Sequence, residues 1–447
     1  MSALVRVSRP SPVAGCRFGG SGTAFTNAEC EPWLAVNPSN PNHLIGVWQQ
    51  DRWSNGFARA IVAGFSFDGG ATWNETPLPF SLCTTSRFNF GRTVDGWVSI
   101  GPDGTAYSCA FSVNRITNST AILAATSSNG GRTWQNAQII ISNRGKTFIN
   151  NKPSITADPT RPGVAYVVWD RLQFGSSGSL VTGPTLFSKT TNGGRTWSKP
   201  KIIFAPGSGN STIGNEIIVD PRNGKLYNFF NWQVRSGVNR GRNISVQRSN
   251  DGGATWSTAT IIAKQMSVPL RTPNTGTLIR AGNVLPQAAV GPRGMLYAVW
   301  ADSRFSGGRF VQIAISHSSD GGVTWSKPIR VSPPTGKAAF TPNVAVNSRG
   351  VVGVTYYDFR SATTQTGTTP TDYWIRFSAN GAESFGVEKH IAGPFDILTA
   401  PQTNGGRFLG DYQGLVAIGR TFHPFFARAN SGVISNRTDI FTTSIVP

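Results

Sequence analysis

Short apolar segments alternate with polar turns along the whole chain, and the alternation recurs in a fixed order. Two apolar segments are joined by a turn rich in Asn, Pro, Asp and Gly, and a third leads through a glycine-rich turn into a fourth. Segments of roughly four to eight residues rich in Val, Ile, Phe, Tyr and Trp and bounded by such turns are typical of β-strands. The pattern therefore predicts an all-β chain made of repeated units of four short antiparallel strands.

The glycine-rich turn carries a motif of the form Ser-x-Asp-Gly-Gly-x-Thr-Trp. Its closing aromatic residue recurs at a near-constant interval from Trp73 to Phe385, which indicates an internal repeat. The Asp or Asn accepts hydrogen bonds from nearby backbone amides, and glycine adopts positive φ without strain. We expect each copy to form a corner between two strands, with its Trp packed between neighbouring sheets. The six copies, the last one decayed, span residues 66–73, 127–134, 190–197, 249–256, 318–325 and 378–385.

Four strands in about 60 residues are typical of one blade of a β-propeller. Three further strands are predicted after residue 385, and the segment from Val5 to Pro10 is similar to the outer strand at 329–334. We therefore predict a seven-bladed β-propeller whose N-terminal strand closes the last blade, with six blades as the alternative. The predicted single domain, 1–447, divides into blades at 29–82, 95–142, 151–205, 214–264, 285–333, 341–393 and 408–447 together with 1–9.

The motif and its spacing resemble the Asp-box, or bacterial neuraminidase (BNR), repeats of the sialidase-like propellers. The resemblance covers nearly the whole chain. It implies a glycan-cleaving site that combines carboxylates, a tyrosine nucleophile in place of a carboxylate nucleophile, and arginines that bind the substrate carboxylate. The chain lacks the Arg-Ile-Pro stretch that supplies the first of these arginines in sialidases. Related glycan hydrolases, lyases and non-catalytic binding propellers therefore stay open.

Extra chain length is concentrated in two of the four connections of each unit. The turn between strands 1 and 2 and the motif turn are short and uniform, whereas the other connections vary in length. Variable loops on a rigid frame carry function more often than uniform turns do. The working face is therefore expected opposite the motif turns. The longest variable loops are 77–94, 172–184, 265–285, 361–372 and 394–411.

Acidic and polar residues gather at the predicted beginning of strand 1 and differ from one unit to the next. The candidate catalytic residues are Glu31, Asp95, Glu216, Asp411 and Tyr412. By the resemblance, Tyr412 beside Asp411 is the nucleophile-type candidate, with Glu31 or Glu216 as its base. The alternative is a solvated channel mouth with no chemistry.

An arginine lies at the end of strand 2 in every unit, and an aspartate shortly precedes it in four of them. We predict that four of these arginines bind an anionic ligand: Arg52, Arg171, Arg304 and Arg360. The alternative is that each Asp–Arg pair only connects a blade to its neighbour. The full set is Arg52, Arg115, Arg171, Arg235, Arg304, Arg360 and Arg428.

The net charge of the chain favours an anionic binding partner. The chain has 41 Lys and Arg against 21 Asp and Glu, a net charge of +20, which attracts polyanions in general. There is no run of consecutive basic residues, so nucleic acid is disfavoured but not excluded. The four histidines are scattered, so neither a Ser–His–Asp site nor a metal site is predicted, and no cofactor is expected.

Four cysteines lie in the first quarter of the chain, at 16, 30, 83 and 109. We predict disulfides Cys16–Cys30 and Cys83–Cys109 and an extracellular or cell-surface location, with four reduced thiols as the alternative. No apolar run reaches the ~20 residues of a membrane helix. The sequence before Cys16 contains no apolar core of a signal peptide.

Two functions follow from these observations. The first is a glycoside hydrolase, exo-sialidase-like, that acts on an anionic glycan at the mouth of the central channel. The alternative is a non-catalytic propeller that binds a polyanion or assembles on a surface.

Overall fold

The computed structural model describes residues 1–85, 87–363, 367–386 and 388–447. Strands dominate the described residues, which contain only two 3-10 helices, Arg304–Ser306 and Ile397–Thr399. The predicted all-β class is confirmed. Parts of the predicted loops 77–94 and 361–372 and of the predicted blade 341–393 lie outside the described residues. Within the described chain, no helix is long and apolar enough to cross a membrane.

The first eight strands after β1 (Val5–Arg6) form two antiparallel units that a single pairing, Ala58 with Thr93, joins into one sheet. These strands are β2 (Cys30–Asn37), β3 (Asn40–Arg52), β4 (Ala58–Ser66), β5 (Asn74–Pro77), β6 (Arg92–Ile100), β7 (Ala106–Asn114), β8 (Ser119–Ser127) and β9 (Gln135–Arg144).

The next two units are separate antiparallel sheets, the first with a short extra strand, β12, that pairs with β11. Their strands are β10 (Phe148–Ala157), β11 (Ala165–Phe174), β12 (Leu180–Thr182), β13 (Thr185–Thr190), β14 (Lys201–Phe204), β15 (Ser211–Val219), β16 (Leu226–Val234), β17 (Gly241–Ser249) and β18 (Thr260–Gln265).

Two further four-stranded antiparallel sheets follow the short strand β19 (Ile279–Arg280). Their strands are β20 (Gln287–Val290), β21 (Leu296–Asp302), β22 (Gln312–Ser318), β23 (Ile329–Arg330), β24 (Ala339–Val346), β25 (Val352–Asp358), β26 (Pro370–Ser378) and β27 (Glu388–Asp396).

The last strands form a small sheet and close the chain onto its N-terminus. They are β28 (Gln402–Thr403), β29 (Gly406–Phe408), β30 (Gly414–Ile418), β31 (Thr421–Ala429) and β32 (Thr438–Thr442). The small sheet has the order β19-β29-β28, and the closing sheet has the order β1-β32-β31-β30. The N-terminal strand therefore occupies the outer position of the last sheet, as the sequence predicted.

The first strands of the units surround a common centre. In the order β2, β6, β10, β15, β20, β24, β30, each strand contacts the next, and β30 contacts β2. Aromatic residues of the motif fill the space between adjacent sheets. Trp73 lies 5.6 Å from Phe425 between ring centroids, and Trp256 lies 5.8 Å from Phe187. The predicted packing of these tryptophans is confirmed.

The motif turns have the hydrogen bonds that the sequence predicted. In the first copy, Oδ1 of Asp68 accepts from the amide of Thr72 at 2.9 Å, and its Oδ2 accepts from the Thr72 hydroxyl. The Ser66 hydroxyl accepts from the amide of Gly70 at 2.9 Å. These bonds hold the pKa of Asp68 at about 2, with the Thr72 hydroxyl contributing most. The turn therefore satisfies its own carboxylate.

Three first strands carry a charged residue in a β-bulge at the same place. The pairing register shifts at Glu31 in β2, at Asp95 in β6 and at Lys152 in β10. These three residues adopt φ of 52°, 55° and 47°, a left-handed conformation that is uncommon for residues other than glycine and that collects at functional sites. The bulges therefore place a charged residue of each strand at the same level of the centre.

The predicted disulfides are wrong. The structure contains one disulfide, Cys16–Cys83, and Cys30 and Cys109 are buried free thiols. Cys30 lies in β2 and Cys109 in β7, where sheet pairing fixes both backbones inside the core. Cys16 and Cys83 lie in loops, whose Cα atoms come within 5.5 Å of each other, a distance that a disulfide requires.

Candidate functional site

Three carboxylates from distant parts of the chain meet the ammonium group of Lys152. Its Nζ atom lies 2.8 Å from Oε1 of Glu31, 2.8 Å from Oδ1 of Asp95 and 2.8 Å from Oδ2 of Asp411. The three carboxylates therefore share one cation. All four side chains are buried. The structure thus brings together three of the five residues predicted to be catalytic.

Arg280 joins this cluster from the small sheet. It lies on β19, which pairs in parallel with β29 and places Arg280 beside Phe408. Nε of Arg280 donates to Oδ1 of Asp411 at 3.1 Å, and Nη2 donates to Oδ2. The guanidinium groups of Arg280 and Arg52 lie 4.7 and 4.6 Å from the centroid of the Phe408 ring. The long loops 265–285 and 394–411 therefore build the sheet that holds Arg280 next to Asp411.

The cluster moves the pKa values of two neighbouring carboxyl groups in opposite directions. Burial raises the pKa of Glu31 to about 8, against the opposing effect of Lys152. Burial also acts on Asp411, but Arg280 and Lys152 outweigh it and hold the pKa of Asp411 well below its usual range. The backbone amide of Asp411 donates to Oε1 of Glu31 at 3.1 Å. The two neighbouring carboxyl groups therefore differ widely in acidity.

A cavity of about 440 Å³ opens onto Lys152, Arg280 and Asp411. Much of its wall is the 265–285 loop, and Arg242 of β17 lies on another side. Among the described lining residues, Asp411 is the one carboxylate, whereas three side chains are cationic: Lys152, Arg242 and Arg280. Gly282 (φ 57°) lets the loop approach Asp411, because a Cβ atom there would collide with the Asp411 carbonyl.

Tyr412 is buried beneath the cluster. Its hydroxyl donates to the carbonyl of Gly96 at 3.2 Å, and its ring centroid lies 5.0 Å from that of Trp97 and 5.2 Å from Nζ of Lys152. Burial raises the pKa of Tyr412 well above its usual value. The structure thus gives this hydroxyl a backbone partner and sets its ring against Lys152.

Glu216 lies apart from the three clustered carboxylates. Its Oε2 accepts from the amide of Ala288 at 3.2 Å, and burial raises its pKa to about 8. With Lys152 and Tyr412 it lines a space of only about 20 Å³. Among the described residues it forms no ion pair. Glu216 therefore faces the interior of the centre rather than the cavity.

The four predicted ligand-binding arginines have different surroundings. Arg304 and Arg360 each form an ion pair with the aspartate two positions earlier, at 2.9 and 2.6 Å. The guanidinium of Arg171 stacks on a phenylalanine ring, 4.0 Å from its centroid. Arg52 reaches the cluster by donating to Gln49, which donates in turn to Glu31. The structure therefore brings one of the four to the candidate site.

Two residues of the site were not among the predicted site residues. The sequence assigned no role to Lys152 or to Arg280. Loop length pointed to the segment that holds Arg280, but nothing in the local sequence distinguishes it from other arginines. Their importance comes from convergence of strands far apart in the chain.

A larger cavity, of about 690 Å³, lies between the second and third units. Its described lining residues include Phe57, Phe174, Arg115 and Lys146 but no carboxylate. Its described lining therefore offers no carboxyl group for acid–base chemistry. The smaller cavity at Asp411 is the better candidate for a reaction.

Comparisons with known proteins agree with the repeat and the fold. Residues 185–287 match the family model of the BNR repeat-like domain, and no curated protein matches the sequence. A solved protein of unknown function from Dyadobacter fermentans has a TM-score of 0.50 at 12% identity, covering 95% of this chain and 96% of that one.

Two similar solved structures are named as enzymes. An α-L-arabinanase from Penicillium chrysogenum has a TM-score of 0.49 at 13% identity, covering 98% of this chain and 97% of that one. An intramolecular trans-sialidase from Ruminococcus gnavus has a TM-score of 0.45 at 13% identity, covering 95% and 96%. The match at residues 185–287 confirms the BNR-type repeat that the sequence predicted.

Proposed function

We propose that this chain cleaves a glycosidic bond in an anionic glycan, in the cavity above Lys152. The observation that carries the proposal is the pair Glu31 and Asp411, whose surroundings move their pKa values in opposite directions. Glycoside cleavage needs one carboxyl group that is protonated and one that is ionised at the same pH.

Each residue of the cluster has a role in the proposed reaction. Asp411 lines the cavity and stabilises the positive charge that develops on the anomeric carbon. Glu31 is not part of the cavity wall and lies one hydrogen bond behind Asp411, so its proton passes through a water molecule in the cavity to the leaving oxygen when the glycosidic C–O bond breaks. Water then adds hydroxide to the anomeric carbon and returns a proton to Glu31 by the same route. Lys152 and Arg280 keep Asp411 ionised, and Asp95 balances the charge of Lys152. In this scheme Tyr412 orients Lys152 through its ring, and Glu216 takes no step.

Charge in the cavity supports an anionic substrate. Lys152, Arg280 and Arg242 line it together with one carboxylate, Asp411. Since Asp411 already pairs with two of these cations, a net positive charge remains for a carboxylate or sulfate of the sugar. Arg52 packs on the same Phe408 ring as Arg280. Its guanidinium adds to the positive charge near the cavity.

The test is turnover of a panel of fluorogenic sialosides and uronides, together with neutral glycosides. We expect cleavage of at least one anionic glycoside by the wild-type protein. Glu31→Gln and Asp411→Asn should each lower kcat/KM by at least about 100-fold, with cooperative thermal unfolding as evidence of folding. The matched control is Asp320→Asn, the same change in a motif turn on the surface.

Two results would contradict the proposal. The first is equal kcat/KM for the wild type, Asp411→Asn and Asp320→Asn. The second is no turnover of any anionic or neutral member of the panel.

The second candidate is a propeller that binds a polyanion without cleaving it. The observation that favours it is that Lys152 already contacts three carboxylates. A buried ion-pair network whose charges are all paired can serve the structure alone, without a substrate. This function predicts binding that weakens steeply with added salt and no cleavage of the bound glycan.

We also propose that residues 1–447 form a single propeller of seven blades that works outside the cell or on its surface. The closed series of seven first strands supports the blade count, and the Cys16–Cys83 disulfide supports an oxidising compartment. An experimental structure with six blades would contradict the count.

A further inference from the structure

The cavity at Asp411 adjoins a second cavity. This second cavity, of about 430 Å³, lies at the end of the β15–β18 sheet. Arg242 and Ser267 line both cavities, so the two spaces adjoin each other. We call the joined space the arginine groove: it begins at Asp411 and Arg280, passes Arg242 and ends at Arg235.

The outer part of the groove has two arginines, Arg235 and Arg242. Among the described residues, neither guanidinium has an ion pair, a hydrogen bond or an aromatic partner. This contrasts with Arg304 and Arg360, whose guanidinium groups are held by carboxylates. An unpaired, exposed guanidinium on the wall of a groove is suited to a carboxylate or sulfate, which it binds through two parallel hydrogen bonds.

The outer part of the groove contains no competing acid. Its described lining residues are Leu180, Gly209, Ser211, Gln233, Val234, Arg235, Gly241, Arg242, Gln265 and Ser267. Arg235 and Arg242 are the charged residues among them. The potential in the groove is therefore positive along its whole length, which raises the local concentration of anionic ligands.

We propose that the arginine groove binds several consecutive sugars of a polyanionic glycan, each with its own acidic group. Arg280 takes the group nearest Asp411, Arg242 the next and Arg235 the outermost. The preferred substrate is then an extended anionic segment rather than one terminal anionic sugar. This inference rests on the proposed function only for the site of cleavage, since binding in the groove can be measured without turnover.

The test compares the binding of a fluorescein-labelled galacturonate hexamer and of labelled galacturonic acid to the full chain. Arg235→Gln and Arg242→Gln should each weaken hexamer binding by about tenfold and lower the ratio of hexamer to monomer affinity. Each should also reduce the salt slope of hexamer binding by about one. The matched control is Arg240→Gln, in the same loop but outside the groove, which should change affinity less than twofold.

The outcomes separate the groove from the proposed reaction. If no glycoside is cleaved but Arg235→Gln and Arg242→Gln still weaken hexamer binding selectively, the proposed function fails and the groove stands. If cleavage occurs but hexamer and monomer bind equally, or Arg240→Gln weakens binding as much as the groove variants, the groove is overturned. Thermal unfolding of each variant shows that it is folded.

Discussion

Aspartate serves opposite purposes in the motif turns and in the central cluster. Asp68 lies on the surface and takes its hydrogen bonds from Ser66 and Thr72 in the same turn. Asp411 is buried, and its cationic partners Lys152 and Arg280 come from strands far earlier in the chain. A carboxylate satisfied by its own turn stabilises a corner. A carboxylate held by cations from other elements has a charge state set by the fold.

The two regions also differ in repetition. The turn occurs with Asp or Asn at the same place, and Asn129, Asn192 and Asn380 make the equivalent hydrogen bonds to the amide four residues on. The cluster occurs once, because equivalent bulges carry Gly214 and Thr341 instead of a charged residue. The repeat builds the frame, and departures from it build the site.

The largest expected effect is at Lys152. Lys152→Met leaves three buried carboxylates without their common cation, which should lower the free energy of unfolding by about 3–5 kcal/mol at pH 7. Urea denaturation measures this. Lys327→Met, on an exposed lysine, should change it by less than about 0.5 kcal/mol. Equal values for the two variants would remove the distinction between cluster and surface.

The next effect is at Gly282, where the 265–285 loop approaches Asp411. Gly282→Ala should lower the free energy of unfolding by about 1–3 kcal/mol more than the control does, because its Cβ collides with the Asp411 carbonyl. Gly276→Ala is a matched control, since Gly276 has a similar φ of 67° with open space around it. If both substitutions have the same urea midpoint, the close approach is not important for stability.

The pH dependence of stability distinguishes Glu31 from the surface carboxylates. Its pKa is raised in the folded state from 4.5 to about 8, so the folded chain binds this proton more tightly than the unfolded chain. Its contribution to stability is fully present below about pH 4.5 and is lost as pH rises through about 8. The stability of wild type relative to Glu31→Gln should therefore fall between pH 5 and pH 9, measured by urea denaturation at each pH. A constant difference would contradict the raised pKa.

The smallest effect is expected in a motif turn. Asp68→Asn should change the free energy of unfolding at pH 7 by less than about 0.5 kcal/mol, because asparagine makes the same turn elsewhere in the chain. Thermal unfolding measures it, with Asp68→Ala as the control that removes the acceptor. A large loss for Asp68→Asn would show that the charge itself, not the hydrogen bonds, holds the corner.

Much of the fold was predictable from the sequence because the fold repeats. The Trp-ended motif recurs at a regular interval, and Val5 and Arg6 could be matched to an outer strand because Ile329 and Arg330 show the same pattern. The cysteine pairing was not predictable. Cys16–Cys30 was the predicted pair, whereas sheet pairing buries Cys30 and leaves Cys16 to meet Cys83.

The candidate site was predictable only in part. Glu31, Asp95 and Asp411 were found because acidic residues at the beginning of strand 1 break the repeat. Their common partner Lys152 and the role of Arg280 depend on which bulges and loops meet at the centre. The repeated arginines could not be sorted by sequence. An aspartate two residues earlier indicates an ion-pair partner for Arg304, but no local pattern shows that the Arg235 guanidinium lacks a partner among the described residues.

The most direct measurement is a carboxyl NMR titration of protein labelled with ¹³C only in glutamate. The chain has six glutamates, so each carboxyl signal can be followed, and the signal missing in Glu31→Gln identifies Glu31. We predict that this signal titrates near pH 8 and that Lys152→Met shifts its midpoint. A Glu31 signal that titrates near its ordinary pKa of 4.5, unaffected by Lys152→Met, would contradict a central pair of one protonated and one ionised carboxyl group.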